Sequence, residues 1–474
     1  MIPTEKGEMM ERNQIAELDL EIDGLSRKLA ELTIRLVNIK STQGEPLPGA
    51  PFGAGPKQVL DEMLQIGKEN GFFCTDYGTG VISLALKEGK PDLGIWLHGD
   101  VVPAGNGWKF DPFHATEYKN CIIGRGATDN KGQIAAAFYL LIAFRKLNIP
   151  LNFNPALYIG SNEESGMADL KGIPGNPDAK GFLNAFEPPR LSLVPDGGFS
   201  AGYGGKGKVS LTLRSNTPFH GCTLTAGTEK DPGLATASFD RKIPTSPIPN
   251  CTVSEGELSV WTAPKHGAHP DADGNMITRL SEAVLENGLS HPEDLYIWEF
   301  LKEITTRVDG ETLGIAVQSE EMSPLTVFTA SAETVDGCCQ VELGIRYPIE
   351  ITGEEILERV KSAAGKKNFS LIAHRHSQRA YLAPKDTPVV KALCKASDEL
   401  MDRVIPPYTL GGGTYAHYLP NAYVFGMNGC LPPDDFPKGK GGAHGVDESV
   451  SLARMQRAMR IYARALLYLN DLDW

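Results

Sequence analysis

The sequence predicts an α/β protein: a mixed sheet flanked by helices, interrupted by an inserted ferredoxin-like α+β domain. Three observations lead there. Short apolar runs at 81–86, 93–97, 155–159 and 191–194 alternate with helical patterns, as in a sheet covered by helices. The texture changes after Phe199, where a Gly-rich stretch opens a region of alternating strands. From Ala383 the α/β texture resumes. The chain therefore reads as a first domain at 1–200 and 379–474, split by a second at 201–378.

Taken in order, residues 15–40 carry Leu18, Ile22, Leu25, Leu29, Leu32 and Leu36 at helical spacing, which predicts one helix. A Pro/Gly-rich loop at 46–56 leads into a helix at 57–69, with Gly71 as its stop. Strands 81–86 and 93–97 are joined by the turn Glu88-Gly-Lys-Pro91. A helix at 133–147 follows a Gly-punctuated turn carrying Asp129. Residues 202–207, with Gly204 and Gly205 adjacent, read as a flexible linker that would let the inserted domain close as a lid. Beyond it, strands are expected at 208–214, 258–262, 325–330, 339–346 and 369–373, and helices at 276–289 and 354–364. Taking 258–262 as the first strand gives a β-α-β-β-α-β order, the ferredoxin-like arrangement, with extra material at 208–257 and 290–318. A helix at 389–401, a strand at 422–425 and a last helix from about 450 to 470 complete the split domain.

Bulk properties narrow the function classes. A chain of 474 residues holds two to four units at roughly 100–200 residues each. With 41% hydrophobic and 22% charged residues it reads as globular. A net charge of −13 argues against a nucleic-acid or acidic-membrane partner, since both require basic surface. The start, Met1-Ile-Pro-Thr-Glu-Lys-Gly-Glu8, has neither a basic nor an apolar leader segment, and the most apolar helix, 133–147, is too short to span a bilayer. Eight cysteines without a Cys-x-x-Cys spacing read as free thiols. A cytoplasmic location is the expectation.

The chemistry-bearing residues fall at loop entries. His98 ends an apolar run within Leu97-His-Gly-Asp100. Asp129 lies in Gly124-Arg-Gly-Ala-Thr-Asp-Asn-Lys-Gly132, Glu163 and Glu164 in Ser161-Asn-Glu-Glu-Ser-Gly166, Asp196 in Val194-Pro-Asp-Gly197, and His444 in Gly442-Ala-His-Gly-Val-Asp-Glu448. Several sit just past predicted strand ends, where open α/β sheets bind ligands. His98, Asp129, Glu164, Asp196 and His444 form a hard nitrogen and oxygen set suited to Zn²⁺, Mn²⁺ or Co²⁺. Five side chains exceed the needs of one tetrahedral ion, so two ions about 3.5–4 Å apart, bridged by Asp129, are expected. Asp100, two residues past His98, is placed to hold the imidazole N–H. Adjacent carboxylates repel, so a metal on Glu164 leaves Glu163 free as a general base on a metal-activated water.

Taken together and in order, these motifs resemble the aminoacylase/succinyl-diaminopimelate desuccinylase/dipeptidase family of two-metal metallopeptidases. The resemblance implies that His98 and Asp196 hold one metal, Glu164 and His444 the other, with Asp129 bridging, Glu163 as base and Asp100 behind His98. Gly411-Gly-Gly-Thr-Tyr-Ala416, Leu419-Pro-Asn421, Arg346-Tyr-Pro348 and Lys265-His266-Gly-Ala-His-Pro270 are similar to the dipeptidase V branch. By that similarity His266 stabilises the oxyanion, with His269 competing for the role, and Arg346, Thr414 and Gly413 receive the C-terminal carboxylate of a small peptide. The implied activity is hydrolysis of dipeptides with free termini. N-acyl-amino-acid deacylation and a catalytically silent binding protein remain alternatives, and both a monomer and a homodimer are compatible with the branch.

Overall fold

A computed structural model describes residues 5–173, 180–228, 231–243, 247–262, 275–401, 403–427 and 441–474. The chain divides into two compact units, Met1–Gly204 with Ala383–Tyr408 and Thr414–Trp474, and Gly205–Leu382 with Thr409–Gly413.

The first unit is built on a mixed sheet. Its strands run in the order Phe73–Asp76, Val81–Ala85, Pro155–Gly160, Leu93–His98, Leu191–Val194, Ala422–Phe425 and Ala201–Gly205. Pro155–Gly160, Leu93–His98, Leu191–Val194 and Ala422–Phe425 are mutually parallel, and every residue in them is buried. Covering on both faces explains why these strands read as continuous apolar runs without alternation. Helix Gly132–Lys146 packs on Leu93–His98 and Pro155–Gly160, and against Ser26–Val37 and Leu452–Asn470. Leu140, Leu141 and Phe144 of that helix lie in the same core as Ile95, Leu157 and Leu466. No described helix is long and apolar enough to cross a membrane. The described cysteines form no disulfide with one another.

Three details of this unit differ from the sequence reading. The expected helix at 15–40 is two helices, Glu5–Asp23 and Ser26–Val37, separated at Gly24 and Leu25. Its apolar stripe is nevertheless buried from Leu18 to Leu36. The strands joined by the Glu88 turn do not pair, because Pro155–Gly160 inserts between them. Val81–Ala85 pairs instead with Phe73–Asp76, a four-residue, mostly exposed strand too short to give a pattern. The supposed flexible linker begins as the buried strand Ala201–Gly205. Its glycines lie in extended, buried backbone, where absence of a side chain serves close packing as well as mobility.

The second unit has an eight-stranded sheet ordered Thr252–Ser254, Glu257–Trp261, Leu234–Phe239, Cys222–Ala226, Thr326–Val335, Cys338–Tyr347, Gly207–Pro218 and Phe369–Gln378. Neighbouring strands are antiparallel throughout. The last four with helices Met276–Glu286 and Gly353–Lys366 make the ferredoxin-like core. Its first strand is Gly207–Pro218, however, and not 258–262. The latter sits in a meander that extends the other side of the sheet, and sequence proximity to helix 276–286 concealed this. An unanticipated helix, Leu295–Thr306, packs with Met276–Glu286. Burial alternates strictly: Val341, Leu343 and Ile345 join a core with Leu280, Trp298 and Val360, whereas Glu342, Gly344 and Arg346 point the other way.

A Cβ added to Gly207 would lie 2.1 Å from the ring of Tyr347. That ring is tethered through its hydroxyl, which donates to the Gln378 carbonyl at 3.2 Å. Gly207→Ala is therefore expected to destabilise by about 1–3 kcal/mol through overpacking, read as a lower urea midpoint for the whole chain.

Candidate metal centre

The centre is assembled where parallel strands of the first unit end. His98 is the last residue of Leu93–His98. Its Nδ1 lies 3.0 Å from the main-chain oxygen of Asp100, a partner that calls for the proton on Nδ1. Nε2 lies 3.1 Å from Asp129 Oδ1. Asp100 thus meets the imidazole through its backbone. Its Oδ1 stands 3.6 Å from Nδ1 and accepts the main-chain N–H of Glu163 at 3.0 Å, while its Oδ2 accepts that of Glu164 at 3.1 Å. Asp100 was expected to hold the imidazole N–H, and the atom that lies within hydrogen-bond distance is its main-chain oxygen.

Glu163 and Glu164 follow strand Pro155–Gly160, and Asp196 follows Leu191–Val194. The glutamate turn is fastened by Asp169, whose Oδ2 accepts from Ser161 N at 2.8 Å, Asn162 N at 3.1 Å and the Tyr415 hydroxyl at 2.5 Å. Gly160 is required here, since a Cβ would meet the Tyr415 oxygen at 1.9 Å. Asp129 lies in the tight turn Ala127–Lys131 ahead of helix Gly132–Lys146. His444, with a left-handed φ of 60°, brings Nε2 to 3.2 Å from Asp129 Oδ2 and 3.0 Å from Glu164 Oε1. Asp129 is thus flanked by both imidazoles. Two groups have ligand atoms within 4.8 Å of one another: His98, Asp129 and Glu164, and His98, Glu163 and Asp196.

The electrostatics fit divalent cations. Burial and then repulsion from Asp129 push the Asp196 carboxyl up to about 8. Burial and Asp196 push Glu163 well above the carboxylate range, and burial raises Glu164. For Asp129, burial is outweighed by hydrogen bonds from His444 and His98, and its pKa falls. Hydrogen bonds to Asp129 and Glu164 push His444 up to about 11. The shifts express a surplus of enclosed carboxylate, which is costly without compensating positive charge. Glu163 Oε1 is buried and, among the described residues, has no hydrogen-bond partner. A mixed imidazole and carboxylate set suits Zn²⁺, Mn²⁺ or Co²⁺, and His98, Asp129, Glu164, Asp196 and His444 are the residues that would hold them.

The pattern of peptidase family M20/M25/M40 matches residues 95–468, a span containing every one of these side chains. The chain belongs to peptidase family M20/M25/M40. It is accordingly a metallopeptidase, in a family that uses divalent metals. A relative from Bacillus subtilis (strain 168), named "Putative dipeptidase YtjP", is 26% identical over 472 residues, spanning 92% of this chain and 94% of its own. A relative of the same description from Staphylococcus saprophyticus is 27% identical, spanning 91% and 94%. Among solved structures, human carnosine dipeptidase 1 aligns with a TM-score of 0.56 at 15% identity, covering 97% of this chain and all of that one (100%). The dipeptidase Dug1p of Saccharomyces cerevisiae aligns with a TM-score of 0.58 at 13% identity, covering 97% and 99%. At such identities the structures establish the shared fold.

Other anticipated M20 site residues are distributed between the units. Thr414 lies in the first; it is buried, and its hydroxyl accepts from Ala416 N at 3.2 Å. Arg346 and Gly413 lie in the second, where a Cβ on Gly413 would meet Gln378 Oε1 at 2.2 Å. His266 and its neighbour His269 lie outside the described residues. A third His/carboxylate group, His220, His291 and Asp294, occurs in the second unit. Its His220 is already engaged on both nitrogens, by Asp294 at 2.7 Å and Glu293 at 2.8 Å.

Glu448 was missed. Its carboxylate accepts from Gly126 N at 3.1 Å and from Thr128 N and Asp129 N at 3.0 Å each, and pairs with Arg125 at 2.7 Å. Arg125 in turn donates to the His444 carbonyl at 3.2 Å. This buried pair ties the Asp129 turn to the His444 loop. A signal existed: Arg125 and Glu448 lie in the same short motifs as those ligands. Glu448→Gln should lower metal affinity by about 10–100-fold, measured by competition with a chromogenic chelator.

Proposed function

We propose that this metallopeptidase hydrolyses dipeptides with free termini, with Glu163 as the general base. The observation that supports it most is the convergence of His98, Asp129, Glu164, Asp196 and His444 beside a buried glutamate whose Oε1 is unpartnered. Divalent cations held there would polarise the scissile carbonyl and acidify a water. Glu163 takes the proton from the attacking water and passes it to the departing amine, which leaves as the free amino acid. Asp100 positions Glu163 and Glu164 through their main-chain N–H groups. Asp129, which both imidazoles approach, would hold metal together with His98 and His444. His266 neutralises charge on the tetrahedral oxygen. Arg346 grips the substrate's C-terminal carboxylate bidentately, with Thr414 and Gly413 beside it. This assignment follows the motif resemblance and the dipeptidase names of full-length relatives.

Replacing Glu163 by Ala should cut kcat by about 10²–10⁴-fold while elemental analysis finds the metal content retained. Undiminished hydrolysis in that variant would remove Glu163 from the role. Chelation should abolish turnover, and adding back Zn²⁺, Mn²⁺ and Co²⁺ separately should identify the ion that supports it. In the same assays free dipeptides should be cleaved and N-acetyl-amino acids left intact; the opposite pattern would make the protein a deacylase.

A further inference from the structure

The second unit's sheet carries charge in an unusual arrangement. On its outward face a cavity of about 470 Å³ is lined by Lys208, Phe328, Glu342, Arg346, His374 and Arg375, with small residues between them. Lys208 and Arg346 are direct cross-strand partners. Arg375 stands opposite Ser210, the next outward residue after Lys208. Among the described residues, none of these three cations has an ion pair or side-chain hydrogen bond. Like charges placed opposite one another on antiparallel strands destabilise a sheet. Burial and then Arg346 and Arg375 hold the Lys208 ammonium below its usual pKa. Burial and Arg346 also push Lys206, at the edge of this group, down to about 8. Glu342, the one carboxylate among the described residues lining the cavity, accepts from the Ser331 hydroxyl at 3.1 Å. In a chain of net charge −13, carboxylates are plentiful, yet among the described residues Lys208, Arg346 and Arg375 have none as a partner.

We propose that this cavity is a binding site for a second carboxylate, and that it selects dipeptides whose C-terminal residue is aspartate or glutamate. The proposal rests on the dipeptidase reading, in which Arg346 takes the α-carboxylate. One carboxylate occupies one guanidinium fork. Lys208 and Arg375 then remain, on the same sheet face and about one to two strand spacings away, where the side-chain carboxylate of the same residue reaches. Phe328 and the methylene stems of the cations cover the aliphatic part of such a side chain. A neutral isostere fills the same space and leaves the cations unmatched, which is how a site made for a charged group discriminates.

The test compares Ala-Glu with Ala-Gln, which differ in charge and hardly in shape. The metal-loaded wild-type protein should favour Ala-Glu by about tenfold or more in kcat/KM, mainly through KM. Lys208→Met and Arg375→Met should each bring the ratio towards one, and Lys208→Arg should keep it. A wild-type ratio near one, or a ratio that neither Met variant moves, overturns the proposal. Ratios within one variant are insensitive to how much of the protein is folded. Cleavage of both dipeptides with no discrimination leaves the dipeptidase reading standing and removes only this site. If acylated amino acids are cleaved instead, the dipeptidase reading fails, and N-acetyl-Glu against N-acetyl-Gln reads the cavity in the same way. Calorimetric titration with Ala-D-Glu and Ala-D-Gln reads it without turnover: Glu-selective binding lost in Lys208→Met supports the site. Equal binding of both, or displacement of neither by the Met variants, marks a non-selective anion surface and overturns it.

Discussion

The structure of the first unit depends on one electrostatic constraint: several carboxylates are enclosed together with little to balance them. Burying an ionised carboxylate without a counter-charge costs several kcal/mol. Asp196 and Glu163 show that cost as pKa values pushed far upward by enclosure and mutual repulsion. Such a nest persists only when the surrounding fold holds it rigidly and positive charge arrives to complete it. Around the ligands that rigidity is visible. Asp100 holds the backbone of Glu163 and Glu164, Asp169 holds that of Ser161 and Asn162, and Glu448 holds that of Gly126, Thr128 and Asp129. The Glu163–Glu164 loop and the Asp129 loop are each gripped by further carboxylates that accept main-chain N–H groups.

This scaffolding explains how short loops from distant parts of the chain keep their registration. Parallel strands deliver His98, Glu163, Glu164 and Asp196 to their shared C-terminal end. Asp129 and His444 come from outside that set, and the Arg125–Glu448 pair joins their two loops.

The second unit follows a different logic. Its sheet has one face in the core with three helices and the other turned outward. A one-sided sheet leaves a row of positions free of packing demands, and the residues placed there report on function. Lys208, Arg346 and Arg375 make that row cationic.

Much of this was legible in the sequence because the signals were local. Buried parallel strands are apolar along their length, so 93–97, 155–159, 191–194 and 422–425 announced themselves, and the ligand candidates followed at their ends. Spacing alone could not say which strands pair. Val81–Ala85 and Leu93–His98 are sequence neighbours separated in the sheet by Pro155–Gly160, and the ferredoxin-like core begins at Gly207–Pro218, far upstream of the helix that follows it. Nor could it say that glycines at 202–205 line a buried strand, or that Asp100 meets His98 through its carbonyl while its carboxylate holds the glutamate turn. Residue type and order thus determined the family, the kind of chemistry and the ligand candidates. Pairing, and the partner each carboxylate finds, were decided only in three dimensions, because hydrogen bonds and repulsion act through space between groups the chain keeps hundreds of residues apart.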